Sequence, residues 1–535
     1  MDASELRIAL ALEPESWTLT LRANGVFGEA DPPPIALPFT SKDLDLFERA
    51  LDLNGGTALK RTFSLDEIAR LAELKLLRRA PAPLADADLC GHDIHREQLR
   101  AKVRGWLASI LLEPLASEVN QHFAALRTAR PGVRPILYLR LEFRPDRDLP
   151  LLRLPWELLH QHRLTNGDVH VGRYLRYEAA PGRLDPAPKL HLLVLESDPA
   201  DDVLPHLRLQ ERERIVDGLK GTQLEGRFEV SPVVPAGYRA AQKALHALRD
   251  QPAIFHFACH GDFGWRCEHC RKLANTRDGN PCGEPDCGFQ RHGVPMGFLA
   301  FTDPDTVRAD WVSIDGLRNL LKRADVRLVV LNACKSAAGR GGADVFNGLA
   351  QQLMDLVPAV IATPFPLETR AAEEFAGLLY QGLGEGLPLV EALHQVQQAM
   401  AEPCPDEWYR PVLYLRSRQG DGGRLLETEV AESIPAATDH ATEHVQSGAL
   451  TAEQAAVGSS TGIPVRNAPT GSGQGEDRAG PVLASGPAPL RPCAPAAAVR
   501  TPKPSRSRMH WTPSIWKKSS SPARGRTPSR SAPVS

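Results

Sequence analysis

Short apolar runs alternate with amphipathic segments from residue 189 onward. The runs LHLLVLES, FEVSPVV, IFHFACH, VRLVVLNAC, AVIATPF and PVLYLRS have the length and the aliphatic content of buried strands. Segments with helical spacing lie between them, at 205–220, 237–250, 368–383 and 387–401. Because strands that alternate with helices are joined by right-handed crossovers, this pattern predicts a mostly parallel six-stranded sheet with helices on both faces, forming an α/β domain at 183–420.

The first 182 residues carry a more mixed pattern. LRIALAL and SWTLTLRA alternate as strands do, whereas SKDLDLFERALDL and SLDEIARLAELKLLRRA have helical spacing and a serine at each start. The turn-rich AAPGRLDPAPK then separates this region from the parallel-sheet pattern. We therefore expect an α+β N-terminal domain at 1–182, and a regulatory or docking role for it is a hypothesis from its position alone.

The apolar periodicity ends near residue 420. From Arg478 to Ser535 the chain has eleven lysine or arginine residues, eleven prolines and no acidic residue. Such a composition cannot bury enough apolar surface to fold, so we predict a disordered Pro/Ser-rich tail at 421–535 that is basic after 478. Only Trp511 and Trp516 offer stacking faces there, so we expect no nucleic-acid partner beyond weak binding to this tail.

The composition excludes several classes of protein. A formal net charge of -2 argues against a polyanion-binding chain, and a hydrophobic fraction of 42% is ordinary for a globular protein. No segment approaches the roughly 18 to 20 apolar residues of a membrane span. The start MDASELRIALALEPE is acidic where a secretory signal is basic. We expect a cytoplasmic protein with no membrane partner.

One segment, 265–292, interrupts the strand and helix pattern with many Cys, Gly, Pro and charged residues. Four of the nine cysteines lie in it as two closely spaced pairs, Cys267-x2-Cys270 and Cys282-x4-Cys287. Four thiolates complete the tetrahedral shell of a structural zinc ion, and a segment without its own core needs such a cross-link to become ordered. Reduced idle thiols and a redox pair are the alternatives. His269 or His292 is an alternative ligand in place of one cysteine.

Two further residues lie where predicted parallel strands end. His260 follows IFHFAC, and Cys334 follows VRLVVLNA. The carboxyl ends of parallel strands share one edge of the sheet, so on neighbouring strands these residues would lie about 5 Å apart. A thiol is mostly protonated at neutral pH and needs a base beside it to act as a nucleophile, which favours a His/Cys catalytic dyad. The alternatives are a hydrogen-bonded core histidine and a buried structural cysteine. His256, on the same strand face as His260, is interpreted as structural.

Small residues follow both positions and suit an acyl-transfer site. Gly261 leaves room for a substrate carbonyl, and the residues after Cys334 include Ser336 and Gly339. Backbone N–H groups around Gly261 and Cys334 are predicted to stabilise the oxyanion of a tetrahedral intermediate.

The segments HFACHG and VVLNACKSA resemble the His-Gly and Cys motifs of the CHAT domain, a bacterial branch of the caspase-like cysteine peptidases. LPWELL is similar to a segment that precedes many CHAT domains, and the resemblance covers roughly 135 to 416. His260 and Cys334 are 74 positions apart, or 46 without the 28-residue insertion; caspases keep about 50. The caspase signature Q-A-C-x-G is not matched, so the resemblance implies no preference for cleavage after aspartate.

This resemblance implies a cysteine endopeptidase that cleaves a protein substrate through a thioester acyl-enzyme, with His260 as the base and Cys334 as the nucleophile. It also implies that an activating partner protein or proteolytic processing switches the enzyme on. The alternative is a caspase-like interaction module, with weak or absent cleavage, that recruits partners through its zinc insertion. Retention of both dyad residues counts against that alternative.

Overall fold

The computed structural model of the chain describes residues 4–53, 60–78, 86–144, 147–177, 184–200, 204, 206–207, 209–267, 269, 273–274, 287, 296–322, 324–335, 349–364, 367–416 and 422–428. At 61, 149, 263–265, 273–274 and 334–335 the backbone alone is described. All of these residues lie within Met1–Thr438, the first of the two units into which the chain divides. None of the helices among them is long and apolar enough to cross a membrane.

The strands of the described residues are short and mostly apolar. They are β1 (Glu5–Glu13), β2 (Thr18–Gly25), β3 (Gly28–Ala30), β4 (Ile35–Ala36), β5 (Lys60–Phe63), β6 (Ala87–Cys90), β7 (Ile136–Phe143), β8 (Asp168–Leu175), β9 (Leu190–Glu196), β10 (Phe228–Pro232), β11 (Ala253–Arg266), β12 (Leu273–Ala274), β13 (Met296–Thr302), β14 (Ala309–Ser313), β15 (Val326–Lys335), β16 (Ala359–Ala362) and β17 (Val412–Leu415).

The helices of the same residues are amphipathic or largely buried. They are α1 (Ser41–Asp52), α2 (Leu65–Glu73), α3 (Arg96–Leu111), α4 (Ala116–Ala129), α5 (Leu149–Leu152), α6 (Glu211–Leu219), α7 (Tyr238–Leu248), α8 (Ile314–Leu321), α9 (Thr369–Gly384) and α10 (Leu389–Met400), with short 3₁₀ helices at Trp156–Gln161 and Glu225–Arg227. Capping boxes at Thr40 and Ser64 begin α1 and α2, so the polar residue before each apolar run is a helix start.

One large sheet organises the fold. Its strand order is β10-β9-β11-β15-β16-β17-β8-β7-β1-β2-β3, with β4, β12, β13 and β14 attached beside it. The six strands predicted from 189 onward lie side by side as β10, β9, β11, β15, β16 and β17. They pair in parallel except for β17, which runs antiparallel to β16. The predicted mixed α/β fold with a large, mostly parallel sheet is confirmed.

The same sheet continues into the region before residue 183. Strand β17 pairs in parallel with β8 through Tyr414 and Arg173, and β7 and β1 follow in parallel. Apolar side chains from both regions also belong to one hydrophobic core that reaches from Leu6 to Leu426. At the predicted division, 182/183, the chain therefore crosses from one part of a shared sheet to another.

The core also extends past the predicted start of the tail. Leu425 and Leu426 are both 3% exposed. The Ala187 N–H donates to the carbonyl of Leu425 at 2.9 Å, and the Glu427 N–H donates to the carbonyl of Ala187 at 3.0 Å. The predicted tail start at 421 is therefore too early, because two leucines between glycines and charged residues are too short a run to show a period. The rest of the predicted tail lies outside the described residues.

Strand β11 is longer than the sequence predicts. It continues past His260 to Arg266 and pairs antiparallel with β13, which pairs in turn with β14. The segment 265–292 therefore begins inside a strand. Phe298 and Ala300 of β13 and Trp311 of β14 form a small separate apolar cluster with Leu204.

Three histidine rings meet in the core where the 3₁₀ helix Trp156–Gln161, β8 and α10 pack together. The ring of His394 stacks on that of His170, and the ring of His160 lies with its centroid 5.0 Å from that of His394. Burial lowers the pKa of His170 well below its ordinary value and lowers the pKa of His394 to about 3. Both side chains are therefore neutral in the folded protein at neutral pH.

We predict that acid weakens the fold through this cluster. In the unfolded chain His394 takes up a proton below about pH 6.5, whereas in the folded chain its pKa is about 3. The neutral side chain of His394 therefore contributes to the free energy of unfolding. This contribution is complete above pH 6.5 and is lost as the pH falls toward 3, at about 1.4 kcal/mol per pH unit. Between pH 7.5 and pH 5.5, the free energy of unfolding measured in urea should therefore fall by about 1.4 kcal/mol less in His394→Gln than in wild type. The exposed His206→Gln serves as the control, and equal losses in all three proteins would contradict the prediction.

Candidate active site

The register of two neighbouring strands brings His260 and Cys334 together. Strands β11 and β15 are parallel, and their Cα partners include Ala258 with Asn332, His260 with Cys334 and Gly261 with Lys335. Neighbouring strands lie about 4.8 Å apart. The fold thus places two residues that are 74 positions apart in the sequence at partner positions on adjacent inner strands, as the parallel-sheet prediction requires. The side chain of Cys334 lies outside the described atoms.

The backbone around His260 is enclosed by strands. His260 is 0% exposed. Gly261 is also buried and is flanked on one side by Lys335 of β15 and on the other by Leu299 of β13. The extension of β11 after Gly261 therefore forms one wall next to the candidate dyad, and access to His260 depends on what covers this edge.

A buried polar network lies on the same two strands, upstream of the dyad. His256 Nε2 is 2.6 Å from Glu211 Oε2, and His256 Nδ1 is 3.2 Å from the hydroxyl of Tyr380. Asn332 Nδ2 donates to Glu211 Oε2 at 2.9 Å and to the carbonyl of Ala372 at 3.1 Å. We call Glu211, His256, Asn332 and Tyr380 the strand clamp.

Burial sets the proton affinities in the strand clamp. Burial raises the pKa of Glu211, and hydrogen bonds from His256 and Asn332 act in the opposite direction. Burial raises the pKa of Tyr380 well above its ordinary value, so its hydroxyl stays protonated. His256 is hydrogen-bonded and fully buried, as a structural histidine should be. Glu211 gave no signal in the sequence, because it begins a helix whose first turn, ERER, reads as a solvated charged run.

We call residues 265–292 the cysteine-rich segment. Its described part brings three potential metal ligands close together. Cys267, 1% exposed, lies at the end of β11, with its sulfur 3.6 Å from that of Cys287. The sulfur of Cys287 is 3.5 Å from Nδ1 of His269. Strand β12 pairs antiparallel with the end of β11, Ala274 with Trp265 and Leu273 with Arg266. Cys270 and Cys282, the other two predicted ligands, lie outside the described residues.

A complete metal site is not formed by the described side chains. Among them no group of three or more His, Cys, Asp and Glu residues has the arrangement to hold a metal ion. The same result holds for the histidines at 160, 170 and 394, which are not arranged to hold a metal ion; two of them stack ring on ring. The sulfurs of Cys267 and Cys287 are not joined in a disulfide.

A cleft of about 720 Å³ lies between α7 and α8, away from the strand ends. Its lining is basic and comes from these two helices, with Arg239, Lys243, His246 and Lys322 among the residues. No residue of β11 or β15 lines it, so this cleft is separate from the candidate dyad.

The comparison with protein-family models agrees with the sequence motifs. The model of the CHAT domain matches residues 102–441, more than half of the chain. No curated protein matches this sequence. Two crystal structures of the Saccharomyces cerevisiae separase-securin complex, at 3.0 and 2.6 Å resolution, are similar at 11% and 10% identity, both with a TM-score of 0.34. Each match covers 77% of this chain and 30% of the other, and a TM-score this low transfers no property.

Proposed function

The chain belongs to the CHAT domain family, and from that membership we propose that it is a caspase-like cysteine endopeptidase with His260 and Cys334 as its catalytic dyad. The observation that carries the proposal is the strand register, in which His260 is the Cα partner of Cys334. A base and a thiol at partner positions of neighbouring strands meet the first requirement for a nucleophilic cysteine.

The proposed chemistry proceeds in two steps. His260 takes the thiol proton, and the Cys334 thiolate attacks the scissile carbonyl carbon to form a tetrahedral oxyanion. Backbone N–H groups around Gly261 and Cys334 stabilise that oxyanion. Collapse returns the proton to the leaving amine and leaves a thioester, which a water molecule deprotonated by His260 then hydrolyses.

The burial of His260 supports a regulated enzyme. A general base must come within hydrogen-bond reach of the group it deprotonates and of the attacking water, yet His260 is 0% exposed. We therefore propose that an activating partner protein or proteolytic processing opens this edge for a protein substrate. The competing proposal is an interaction module with weak or absent cleavage, which the same burial would also suit.

A cleavage profile separates these two proposals. The purified protein is incubated with a proteome-derived peptide library, before and after mild limited proteolysis, and new peptide termini are sequenced by mass spectrometry. An enzyme gives a consistent cleavage motif that is absent with Cys334→Ala. Identical profiles for wild type and Cys334→Ala under both conditions favour the interaction module.

We further propose that the cysteine-rich segment binds one structural zinc ion through Cys267, Cys270, Cys282 and Cys287, with His269 able to replace one thiolate. Around a tetrahedral zinc, sulfur and nitrogen ligands lie about 3.5 to 3.8 Å from one another, given zinc bond lengths of about 2.3 and 2.0 Å. The measured separations of 3.6 Å between the sulfurs of Cys267 and Cys287 and 3.5 Å between Cys287 and His269 match these values.

We predict that purified protein carries one zinc ion per chain. The double variant with Ser at 267 and 270 should lose it, since two thiolates leave the shell, whereas His260→Ala should keep it. Because Cys267 lies seven positions after His260 and directly follows the end of β11, metal loss should impair substrate access more than global stability. Metal content is measured by inductively coupled plasma mass spectrometry. Zinc lost in His260→Ala but kept in the double-Ser variant would contradict the assignment.

The role of His269 is tested separately. His269→Ala should weaken zinc retention against a chelator if its imidazole is a ligand, whereas a four-thiolate shell leaves retention unchanged. The exposed His206→Ala is the control, because it lies outside the cysteine-rich segment.

A further inference from the structure

One buried carboxylate oxygen joins the two strands that carry the candidate dyad. Glu211 Oε2 accepts from His256 on β11 at 2.6 Å and from Asn332 on β15 at 2.9 Å. His256 lies four positions before His260, and Asn332 lies two positions before Cys334. The three residues of this link are at most 1% exposed, so water does not compete for these hydrogen bonds.

Two helices hold the carboxylate in place. Glu211 begins α6, while Tyr380 and Ala372, which contact His256 and Asn332, belong to α9. The helices α6 and α9 touch at Gly218 and Gly377, so closely that a Cβ on Gly218 would collide with the carbonyl oxygen of Gly377. The strand clamp is therefore fixed to a rigid helix pair on one side and to both dyad strands on the other.

A buried carboxylate that accepts two hydrogen bonds is a costly arrangement for stability alone. Removing a charged group from water is unfavourable, and apolar residues of similar volume are often as stabilising as a buried ion pair. What such a group does supply is geometry, because its hydrogen bonds fix donors at defined distances and directions. The donor on β11, His256, is four positions from His260, and the donor on β15, Asn332, is two positions from Cys334.

We infer that Glu211 is a positioning residue of the dyad, which holds β11 and β15 in the relative placement that brings His260 against Cys334. This inference rests on the proposed function. Proton transfer needs heavy atoms about 2.6 to 3.2 Å apart, and a misplacement of about 1 Å can cost on the order of 100-fold in rate. Because the strand clamp holds β15 two positions before Cys334, it acts directly on the distance between His260 and Cys334.

The test compares Glu211→Gln and Asn332→Ser with wild type. The first replaces the carboxylate and keeps its shape, and the second removes only the arm to β15 while the charge of Glu211 remains. Two quantities are measured: the pH profile of Cys334 alkylation by iodoacetamide, followed by mass spectrometry of the Cys334 peptide, and kcat and KM on the best library peptide. Alkylation reports how strongly His260 lowers the pKa of the thiol, and overall stability does not enter it.

Both variants should move the alkylation inflection upward toward the free-thiol value of about 8.5. They should lower kcat about 10- to 100-fold and leave KM within about twofold, since substrate contacts are unchanged. The matched control is Glu157→Gln, which perturbs another buried carboxylate, paired with Arg173, away from the dyad strands. It should lower the melting temperature without moving the inflection or kcat per folded molecule.

Three outcomes would overturn the inference. An unchanged inflection in Asn332→Ser and Glu211→Gln shows that the strand clamp does not position the dyad. A shift in Glu211→Gln alone shows that its charge acts on the dyad and its hydrogen bonds do not. An inflection that His260→Ala also leaves unchanged shows that the dyad proposal itself has failed. If Glu211→Gln does not fold, Asn332→Ser decides between the first result and the expected one.

Discussion

Replacing Cys334 by alanine is expected to abolish peptide cleavage while the protein stays folded, and His260→Ala is expected to reduce kcat by about 10²- to 10⁴-fold or more. The reason is chemical. Without the thiol there is no nucleophile, and without the imidazole the thiol stays protonated at neutral pH. The measurement is kcat/KM on a peptide taken from the cleavage profile, beside a melting curve for each variant.

The double variant distinguishes a dyad from two independent contributors. Residues that act as one unit are not additive, so His260→Ala combined with Cys334→Ala should be no worse than Cys334→Ala alone. A buried cysteine outside the dyad, changed by Cys404→Ala, is the control and should retain activity. Full cleavage by Cys334→Ala would end the peptidase proposal at this site.

Replacing Arg173 by alanine is expected to cost about 3 to 5 kcal/mol of unfolding free energy, because it leaves the carboxylate of Glu157 buried without its cation. Arg173 and Glu157 have side chains 1% and 2% exposed and form an ion pair. Arg173 Nε donates to Glu157 Oε1 at 3.0 Å, and Arg173 Nη2 donates to the carbonyl of Leu154 at 3.0 Å. Chemical denaturation of wild type and variant measures the loss.

An exposed ion pair provides the matched control, because its acidic residue, Asp168, begins β8, the strand that carries Arg173. Arg134 pairs with Asp168 at 2.7 Å, with side chains 53% and 35% exposed. Arg134→Ala should cost no more than about 1 kcal/mol, since solvent screens exposed pairs. Equal losses in Arg134→Ala and Arg173→Ala would show that burial does not govern the effect.

The LPWELL motif acquires a physical meaning from this ion pair. The sequence linked it to the family by resemblance, with no role. In the structure Trp156 is 0% exposed and donates from its indole to the carbonyl of Leu151 at 2.8 Å, while Glu157 anchors Arg173 of β8. The motif therefore fixes β8, which continues the sheet beyond β17.

The amino-acid sequence by itself determined the six strands, the helices between them and the pair of residues at two strand ends. These follow from local patterns, since burial on both faces of a parallel sheet requires continuous apolar runs, and the chain must cross back through a helix before each parallel strand. His260 and Cys334 could be recognised because each directly follows such a run. The zinc ligands and the catalytic roles stay predictions.

Only the tertiary structure decided which strands are neighbours and what lies between them. Nothing local shows that β17 pairs with β8, that residues 422–428 pack on the core, or that Glu211 bonds Asn332 across a sequence separation of 121 residues. A charged residue at a helix start reads as solvated whether or not another helix and two strands enclose it. Its burial depends on contacts between distant segments, and these leave no period in the chain around it.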